Sequence, residues 1–212
     1  MEIIIRSAKG AGMFAMFVLF GSGILFTLVC ILPPVWTLNR VFGYKPSRYQ
    51  KIQRGLFGVW LWLMGALGLL RSAPSSGRPC SGPAVVVGNH PGLFDVLFLI
   101  RDIPDLTVLV KNVLARRLPI GPLLRAAGFV LSPDMVHVSP LESLGKAMEN
   151  LRAGYKFQLF PEGTRSPRGG LRPFNAGAFK MASRIKVPLQ PVIIRNDPPF
   201  LPKGAKWFYP PR

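Results

Sequence analysis

Hydrophobic residues are distributed along this chain in two different ways. Near the N-terminus they form two long uncharged runs, residues 11–32 and 55–70. From Ala84 onwards they form short runs that alternate with longer segments of mixed polarity. Short apolar runs are typical of buried strands, and long ones are typical of helices. The pattern predicts two apolar helices followed by a domain of alternating strands and helices, which is an α/β fold.

Five short apolar runs are the predicted strands of a mixed sheet flanked by helices. They cover residues 84–88, 106–110, 129–131, 157–160 and 189–194. The clearest helix covers residues 139–153, where Ser139 is a predicted N-cap, Pro140 suits the first helical position and Glu142 closes a capping box. Gly154 then ends this helix.

The two N-terminal runs predict an association with a membrane. The first is long enough to cross a bilayer, which takes about 20 apolar residues, and the second is short for a full crossing. Five basic residues separate the runs: Arg40, Lys45, Arg48, Lys51 and Arg54. If both runs crossed, this basic segment would face away from the basic residues at both outer ends, which the positive-inside rule disfavours. We expect a two-helix hairpin that enters one leaflet from the cytoplasmic face of the cell membrane. The alternatives are a true crossing by the first run and a buried core helix for the second.

A segment rich in Pro, Gly and Ser, residues 72–83, reads as a linker. The expected organisation is therefore a membrane anchor over residues 1–71, the linker, and an α/β domain over residues 84–212.

The charge balance is strongly basic, with 27 Lys and Arg against 9 Asp and Glu and a net charge of +18. Such a surplus attracts nucleic acid or an anionic membrane surface. Many of the basic residues flank the apolar runs, which favours the membrane. The two cysteines, Cys30 and Cys80, predict no disulfide framework, and the two histidines lack further ligands at the spacing of a metal site.

The first segment that suggests chemistry is NHPGLFD, residues 89–95. His90 and Asp95 are five residues apart, so on one continuous helix they would point in different directions. They can meet if His90 lies in a turn and Asp95 in the first turn of the helix that follows. The carboxylate would then hold one imidazole nitrogen and leave the other as a base. A capping histidine beside a helix-start aspartate is the structural alternative.

The second segment is FPEGTRS, residues 160–166, which follows a predicted strand. Its turn can present backbone N–H groups, a hydroxyl and a guanidinium to an anion. An ordinary surface turn is the structural alternative. No G-x-S-x-G element of a serine lipase occurs in the chain.

Taken in order, these segments resemble the glycerolipid acyltransferase family that contains the 1-acylglycerol-3-phosphate acyltransferases, the HxxxxD type. That family shows NHxxxxD, then a lysine and a glycine-led block, then FPEGTR, then VPxxPV. Here the lysine is Lys111, the glycine is Gly128, and the last block is VPLQPV, residues 187–192.

The resemblance implies a role for each matching residue. His90 would take the proton from an acceptor hydroxyl and Asp95 would orient it, with no acyl-enzyme and no cofactor. The turn of Glu162, Gly163, Thr164 and Arg165 would bind the acceptor, and Arg165 and Lys111 would hold its phosphate. The partners would be an acyl thioester, on acyl carrier protein or coenzyme A, and a lysophospholipid in the membrane.

The chain departs from the family in its glycine-led block. The family usually has a basic residue near the end of this block, whereas this chain has GFVLSPD, residues 128–134. The expected acceptor is 1-acylglycerol-3-phosphate, which would give phosphatidate. The alternatives are another lysolipid, such as a lyso-aminolipid, and a basic protein that binds nucleic acid or membranes without catalysis.

Overall fold

A computed structural model of the protein describes residues 2–73, 75–134, 136–167 and 170–195, with the backbone only for residues 2–9. The N-terminal part contains helix α1 (Glu2–Phe26), a π-helical turn (Thr27–Ile31), α2 (Leu32–Phe42) and α3 (Pro46–Ala66). The part that follows alternates strands and helices: β1 (Val85–Gly88), α4 (Asp95–Asp102), β2 (Leu106–Val110), α5 (Asn112–Ala115), α6 (Ile120–Ala126), β3 (Val130–Leu131), α7 (Pro140–Arg152), β4 (Lys156–Leu159), α8 (Gly177–Ile185) and β5 (Leu189–Val192).

The five strands form one sheet in the order β3-β2-β4-β1-β5, and the α/β class is confirmed. Every strand pairing among the described residues is parallel, which corrects the expectation of a mixed sheet. The physical reason lies in the connections between successive strands. Each connection contains at least one helix, and parallel neighbouring strands need such helical crossovers. All five strands consequently end at one edge of the sheet, which we call the carboxyl edge.

The five strands and the helix predicted over residues 139–153 hold to within two residues at each end. The predicted N-cap is confirmed, since the Ser139 hydroxyl accepts a hydrogen bond of 3.1 Å from the N–H of Glu142. Gly154 follows this helix with a φ of +92°, as a helix-ending glycine should. Residues 196–212, part of the predicted domain, lie outside the described residues.

The helical segment of the first apolar run does not end with that run at residue 32 but continues through Pro33 and Pro34 to Phe42. These prolines fall in the first turn of α2, directly after the π-helical turn. Proline disrupts the regular bonding of a helix interior, and the wider turn absorbs the mismatch so that the chain stays helical. Residues 10–42 are one helical segment long and apolar enough to cross a membrane. The second helix begins at Pro46, so much of the basic segment is helical as well.

The helical hairpin shares its core with the sheet. Val35 and Tyr49 belong to the same buried cluster as Val86, Leu99 and Leu123. A second cluster joins both arms of the hairpin to the start of α4, and contains Met13, Met16, Trp60, Leu61, Met64, Leu69 and Phe94. Polar contacts reinforce the packing, since the Gln50 side chain donates to the Ala127 carbonyl (2.7 Å).

The hairpin runs between the two edges of the sheet. Its turn lies at the edge where the strands begin, which we call the amino edge. There the Tyr44 hydroxyl donates to the Arg125 carbonyl (2.8 Å), and Pro46 packs against Gly128. Gly128 has a φ of +69°, and a Cβ there would lie 2.8 Å from the Pro46 ring, so the glycine of the family block allows this close approach. The open end of the hairpin lies beside Phe94, near the carboxyl edge. The outer surface of the hairpin is apolar and exposed, with Phe14, Val18, Leu25, Phe26, Val29, Trp36, Val41, Phe42, Val59, Trp62 and Leu67 among its side chains.

Candidate active site

The carboxyl edge brings together three of the sequence segments with candidate chemistry. The NHPGLFD segment leaves β1, Lys111 follows β2 directly, and the FPEGTRS segment leaves β4, which lies between those two strands. Because the strands are parallel and in register, their ends are level. Ligand sites of open α/β sheets form in this position.

His90 and Asp95 meet as the sequence argument requires, since His90 lies in the turn after β1 and Asp95 is the first residue of α4. The imidazole Nδ1 lies 2.9 Å from an Asp95 carboxylate oxygen, which also accepts a hydrogen bond from the Gly92 N–H (2.7 Å). Asp95 is buried, whereas His90 is partly exposed. A carboxylate accepts hydrogen bonds, so it selects the tautomer with the proton on Nδ1 and leaves Nε2 as the basic nitrogen.

The His90 ring is also fixed from one side by Phe160. The two rings are stacked with their centroids 3.9 Å apart and their planes within 5° of parallel. Phe160 follows β4 directly, so the first residue of the FPEGTR segment supports the histidine of the other segment. No sequence pattern assigned Phe160 a role of its own.

Glu162 and Ser166 fix the backbone of His90. The His90 N–H donates to the Ser166 hydroxyl (3.0 Å), and the Ser166 N–H donates back to the His90 carbonyl (2.8 Å). The Ser166 hydroxyl donates to Glu162 (2.5 Å), whose other carboxylate oxygen accepts the Arg172 N–H (2.8 Å). Glu162 is buried, and its carboxylate therefore links the NHPGLFD and FPEGTRS segments inside the protein. Its sequence-based role in acceptor binding stays a prediction.

A reciprocal pair of hydrogen bonds attaches the histidine turn to the last strand. The Asn89 side chain donates to the Ile194 carbonyl (2.8 Å) and accepts the Ile194 N–H (2.7 Å). The asparagine of NHxxxxD thus holds the chain just beyond β5 against the turn that presents His90.

The other predicted site residues lie at the same edge of the sheet as His90 and Asp95. Gly163 has a φ of +68° and closes the tight turn in which its N–H donates to the Phe160 carbonyl (3.0 Å). Thr164 and Arg165 follow and are partly buried. Lys111 is exposed at the N-terminus of α5. In the described part of the chain, no three His, Cys, Asp or Glu side chains are grouped as metal ligands would be.

Comparison with known proteins agrees with this arrangement. The family model described as Acyltransferase matches residues 70–195, which is more than half of the chain. The chain belongs to the acyltransferase family. A crystal structure of the 1-acyl-sn-glycerophosphate acyltransferase PlsC from Thermotoga maritima has the same fold, with a TM-score of 0.65, 23% identity, and coverage of 99% of this chain and 81% of that one.

Curated relatives of the chain include 1-acyl-sn-glycerol-3-phosphate acyltransferases. The chloroplastic BAT2 protein of Brassica napus is 31% identical over 137 residues, which cover 65% of this chain and 39% of the relative. The beta protein of Homo sapiens is 30% identical over 135 residues, which cover 62% of this chain and 46% of the relative. The matched part thus spans less than half the length of these two relatives.

The glycine-led block of the chain places an acid at the same edge. One Asp134 carboxylate oxygen accepts the N–H groups of Val136, His137 and Val138, and the other accepts the Asn112 side chain. These hydrogen bonds, led by the one from His137, hold the pKa of Asp134 well below its usual range. The carboxylate is therefore ionised at neutral pH. Its charge occupies the block in which the family usually places a basic residue.

Proposed function

We propose that this protein is a membrane-associated enzyme that transfers a fatty acyl chain from an acyl thioester to the free hydroxyl of a lysophospholipid. The observation behind this proposal is the His90–Asp95 pair at the carboxyl edge. The Phe160 ring stacks on the His90 ring, and the Ser166 hydroxyl accepts the His90 N–H. The names of the relatives indicate 1-acylglycerol-3-phosphate as the acceptor, with phosphatidate as the product.

The chemistry needs one base and no acyl-enzyme. Nε2 of His90 takes the proton from the acceptor hydroxyl as its oxygen attacks the thioester carbonyl carbon, and Asp95 stabilises the imidazolium that forms. The tetrahedral intermediate then collapses with cleavage of the C–S bond. The thiolate leaves and takes the proton from His90, so the base is regenerated and an ester and a free thiol result.

Acceptor binding is assigned to the two groups of residues beside the base. Arg165 and Lys111 hold the phosphate of the acceptor, and Glu162, Gly163 and Thr164 shape the turn that receives it. A guanidinium can bind a phosphate through two parallel hydrogen bonds, whereas the ammonium of Lys111 acts as a point charge. The Glu162 carboxylate serves this turn by holding its backbone, because its oxygens are bonded to Ser166 and Arg172.

The helical hairpin supports the membrane part of the proposal. Its outer apolar side chains are exposed along all three helices, and its basic residues lie near its two ends. A hairpin that lies along the surface of one leaflet would bury the apolar face and keep both basic ends at the level of the headgroups. The positive charge favours the cytoplasmic leaflet, whose surface is anionic.

A different lysolipid acceptor is the second candidate, and Asp134 is the observation that favours it. An ionised carboxylate at the carboxyl edge is unfavourable for a nearby phosphate monoester and favourable for a headgroup with an amine. A lyso-aminolipid would satisfy the same base and the same thioester chemistry.

Purified enzyme offered a panel of lysolipids separates the two candidates. Each acceptor is incubated with labelled acyl-coenzyme A or labelled acyl carrier protein, and products are identified by mass. The first candidate predicts labelled phosphatidate from 1-acylglycerol-3-phosphate, and labelled product from a lyso-aminolipid alone would favour the second. A folded enzyme that acylates no lysolipid with either donor would contradict both.

Arg165→Ala tests the acceptor site, with the exposed Arg152→Ala on α7 as the control. We expect only the first to raise the acceptor KM or to slow turnover.

A further inference from the structure

The segment that follows β2 presents apolar side chains to solvent. Three of them, Val113, Leu114 and Leu118, are exposed, and Leu118 is exposed to 78%. We call residues 111–118 the α5 segment. It also contains three exposed cations: Lys111, Arg116 and Arg117.

Along the sequence the charges nearest this segment are positive, whereas in the fold the Asp134 carboxylate accepts a hydrogen bond from the Asn112 side chain of the segment. The sequence contains no acidic residue between Asp105 and Asp134, whereas the same stretch contains Lys111, Arg116, Arg117 and Arg125. Large exposed apolar side chains beside several cations are typical of surfaces that lie at the boundary between headgroups and acyl chains. An isolated exposed leucine would need no such explanation.

The backbone that carries these exposed side chains is held in place by hydrogen bonds. The Arg125 guanidinium donates to the Ala115 carbonyl (2.8 Å), and the Gly121 N–H donates to the Arg117 carbonyl (2.8 Å). Gly121 lies so close to Ala115 that a Cβ on it would overlap the Ala115 carbonyl oxygen. The segment is therefore held against α6.

The position of the segment connects the hairpin with the candidate active site. α6 packs against the hairpin on one face of the sheet, where Leu123 shares a cluster with Leu28 and Ile31. At its other end the α5 segment begins with Lys111 at the carboxyl edge, level with the strand that leads to His90. The segment is thus linked to the hairpin through α6 and reaches the carboxyl edge at Lys111.

We propose that the α5 segment is a second membrane-contact surface, which inserts Leu118 and its apolar neighbours into an anionic bilayer beside the candidate active site. Arg116 and Arg117 bind the lipid phosphates there. The contact would bring the carboxyl edge down to the depth of a lysophospholipid headgroup. In this respect the inference rests on the proposed function, although the contact itself is measured without any turnover.

Fluorescence quenching in vesicles tests the contact directly. A single cysteine is placed by Leu118→Cys in a full chain with Cys30→Ser and Cys80→Ser, labelled with a fluorophore, and reconstituted into vesicles of phosphatidylcholine and phosphatidylglycerol that contain brominated lipid. Leu141→Cys is the matched control, because Leu141 is equally exposed at 78% and lies on α7, which packs on the other face of the sheet. We expect strong quenching at position 118 and little at position 141. Equal quenching at the two positions, or none at 118, would overturn the proposal.

Activity provides a second readout. Leu118→Asp should reduce transfer to a long-chain lysophosphatidate in vesicles by about tenfold or more, the effect of losing roughly 1.4 kcal/mol of binding. Transfer to a short-chain, water-soluble lysophosphatidate should not change, and Leu141→Asp should change neither. If the position 118 label responds to added acidic acyl carrier protein and not to brominated lipid, the surface binds the donor protein and the membrane proposal is wrong. If the unmodified protein acylates neither acceptor, the proposed function fails, and quenching alone decides the membrane contact.

Discussion

The imidazole of His90 lies flat against the phenyl ring of Phe160, with 3.9 Å between the ring centroids. Together with Asp95, which holds Nδ1, this contact leaves the ring one orientation and directs Nε2 away from both partners. A base that is fixed before the substrate arrives needs no reorganisation during the reaction. The relationship also explains why the FPEGTR segment begins with an aromatic residue in this protein.

Removing the ring of Phe160 should therefore slow the reaction without unfolding the protein. We expect Phe160→Ala to lower kcat by about 100-fold, which is typical of a small displacement of a catalytic group. Phe174→Ala, at an exposed phenylalanine in the same connection, should leave kcat unchanged. Steady-state kinetics on the two variants, with near-UV circular dichroism to monitor folding, makes the comparison. Equal turnover in both would show that the stacking has no role in catalysis.

Ser166 should act through the position of His90. Ser166→Ala removes the hydroxyl that accepts the His90 N–H and donates to Glu162, so the link of the turn to the buried carboxylate is reduced to the long direct contact between the His90 N–H and Glu162 (3.4 Å). We expect kcat to fall while the KM for the acyl thioester stays the same, and Ser166→Thr to restore much of the rate. Ser183→Ala, at an exposed serine of α8, is the control. A change in thioester KM alone would point to a binding role instead.

Two neighbouring tryptophans of α3 should behave in opposite ways. Trp60 is 5% exposed, donates to the Met16 carbonyl and packs edge-on against Phe94, whereas Trp62 is 68% exposed. Trp60→Ala should lower the free energy of unfolding by about 3–5 kcal/mol, the usual cost of removing a buried aromatic ring.

Trp62→Ala should leave stability unchanged and weaken binding to anionic vesicles. Thermal unfolding and vesicle sedimentation are measured on both variants. Equal stability losses would mean that the exposed face of α3 is covered by protein.

Asp134 should make stability depend on pH in the acid range. Its pKa is held low in the folded protein by the N–H of His137 and by the other hydrogen bonds, so the folded state favours the charged form. This contribution is complete above the ordinary aspartate pKa of about 3.9 and is lost as the pH falls further, toward the lowered folded pKa.

Asp134→Asn keeps the shape and removes the charge. We expect the variant to unfold at a lower temperature than the original at pH 6, and the gap to narrow below pH 4. A gap that stays constant from pH 6 to pH 3 would contradict the assignment.

The sequence predicted the fold well because each strand and its helix are local patterns. The spacing of His90 and Asp95 required a turn followed by a helix start, and that is where the structure places them. Which strand ends meet was not predicted, because the expected sheet was mixed, whereas strands that are all parallel finish at the same edge.

The contacts between distant segments could not be predicted from the sequence. Phe160 and Ser166 support His90 from 70 and 76 residues away, and no local periodicity encodes a stacking or a hydrogen bond over such separations. The path of the first helix through Pro33 and Pro34 depends on a π-helical turn, which composition does not indicate. The prediction of a separate anchor over residues 1–71 did not include the buried contacts by which Tyr49 and Trp60 join the hairpin to the sheet domain.

The most direct test of the account is acyl transfer by His90→Ala beside the unmodified protein. Both are purified under the same conditions, shown to be folded, and given 1-acylglycerol-3-phosphate with a labelled acyl thioester, and labelled phosphatidate is measured by mass. The account predicts that loss of the base lowers the rate by about 10²–10⁴-fold, with the thermal stability of the fold retained. A folded His90→Ala enzyme that forms labelled phosphatidate at close to the original rate would contradict it.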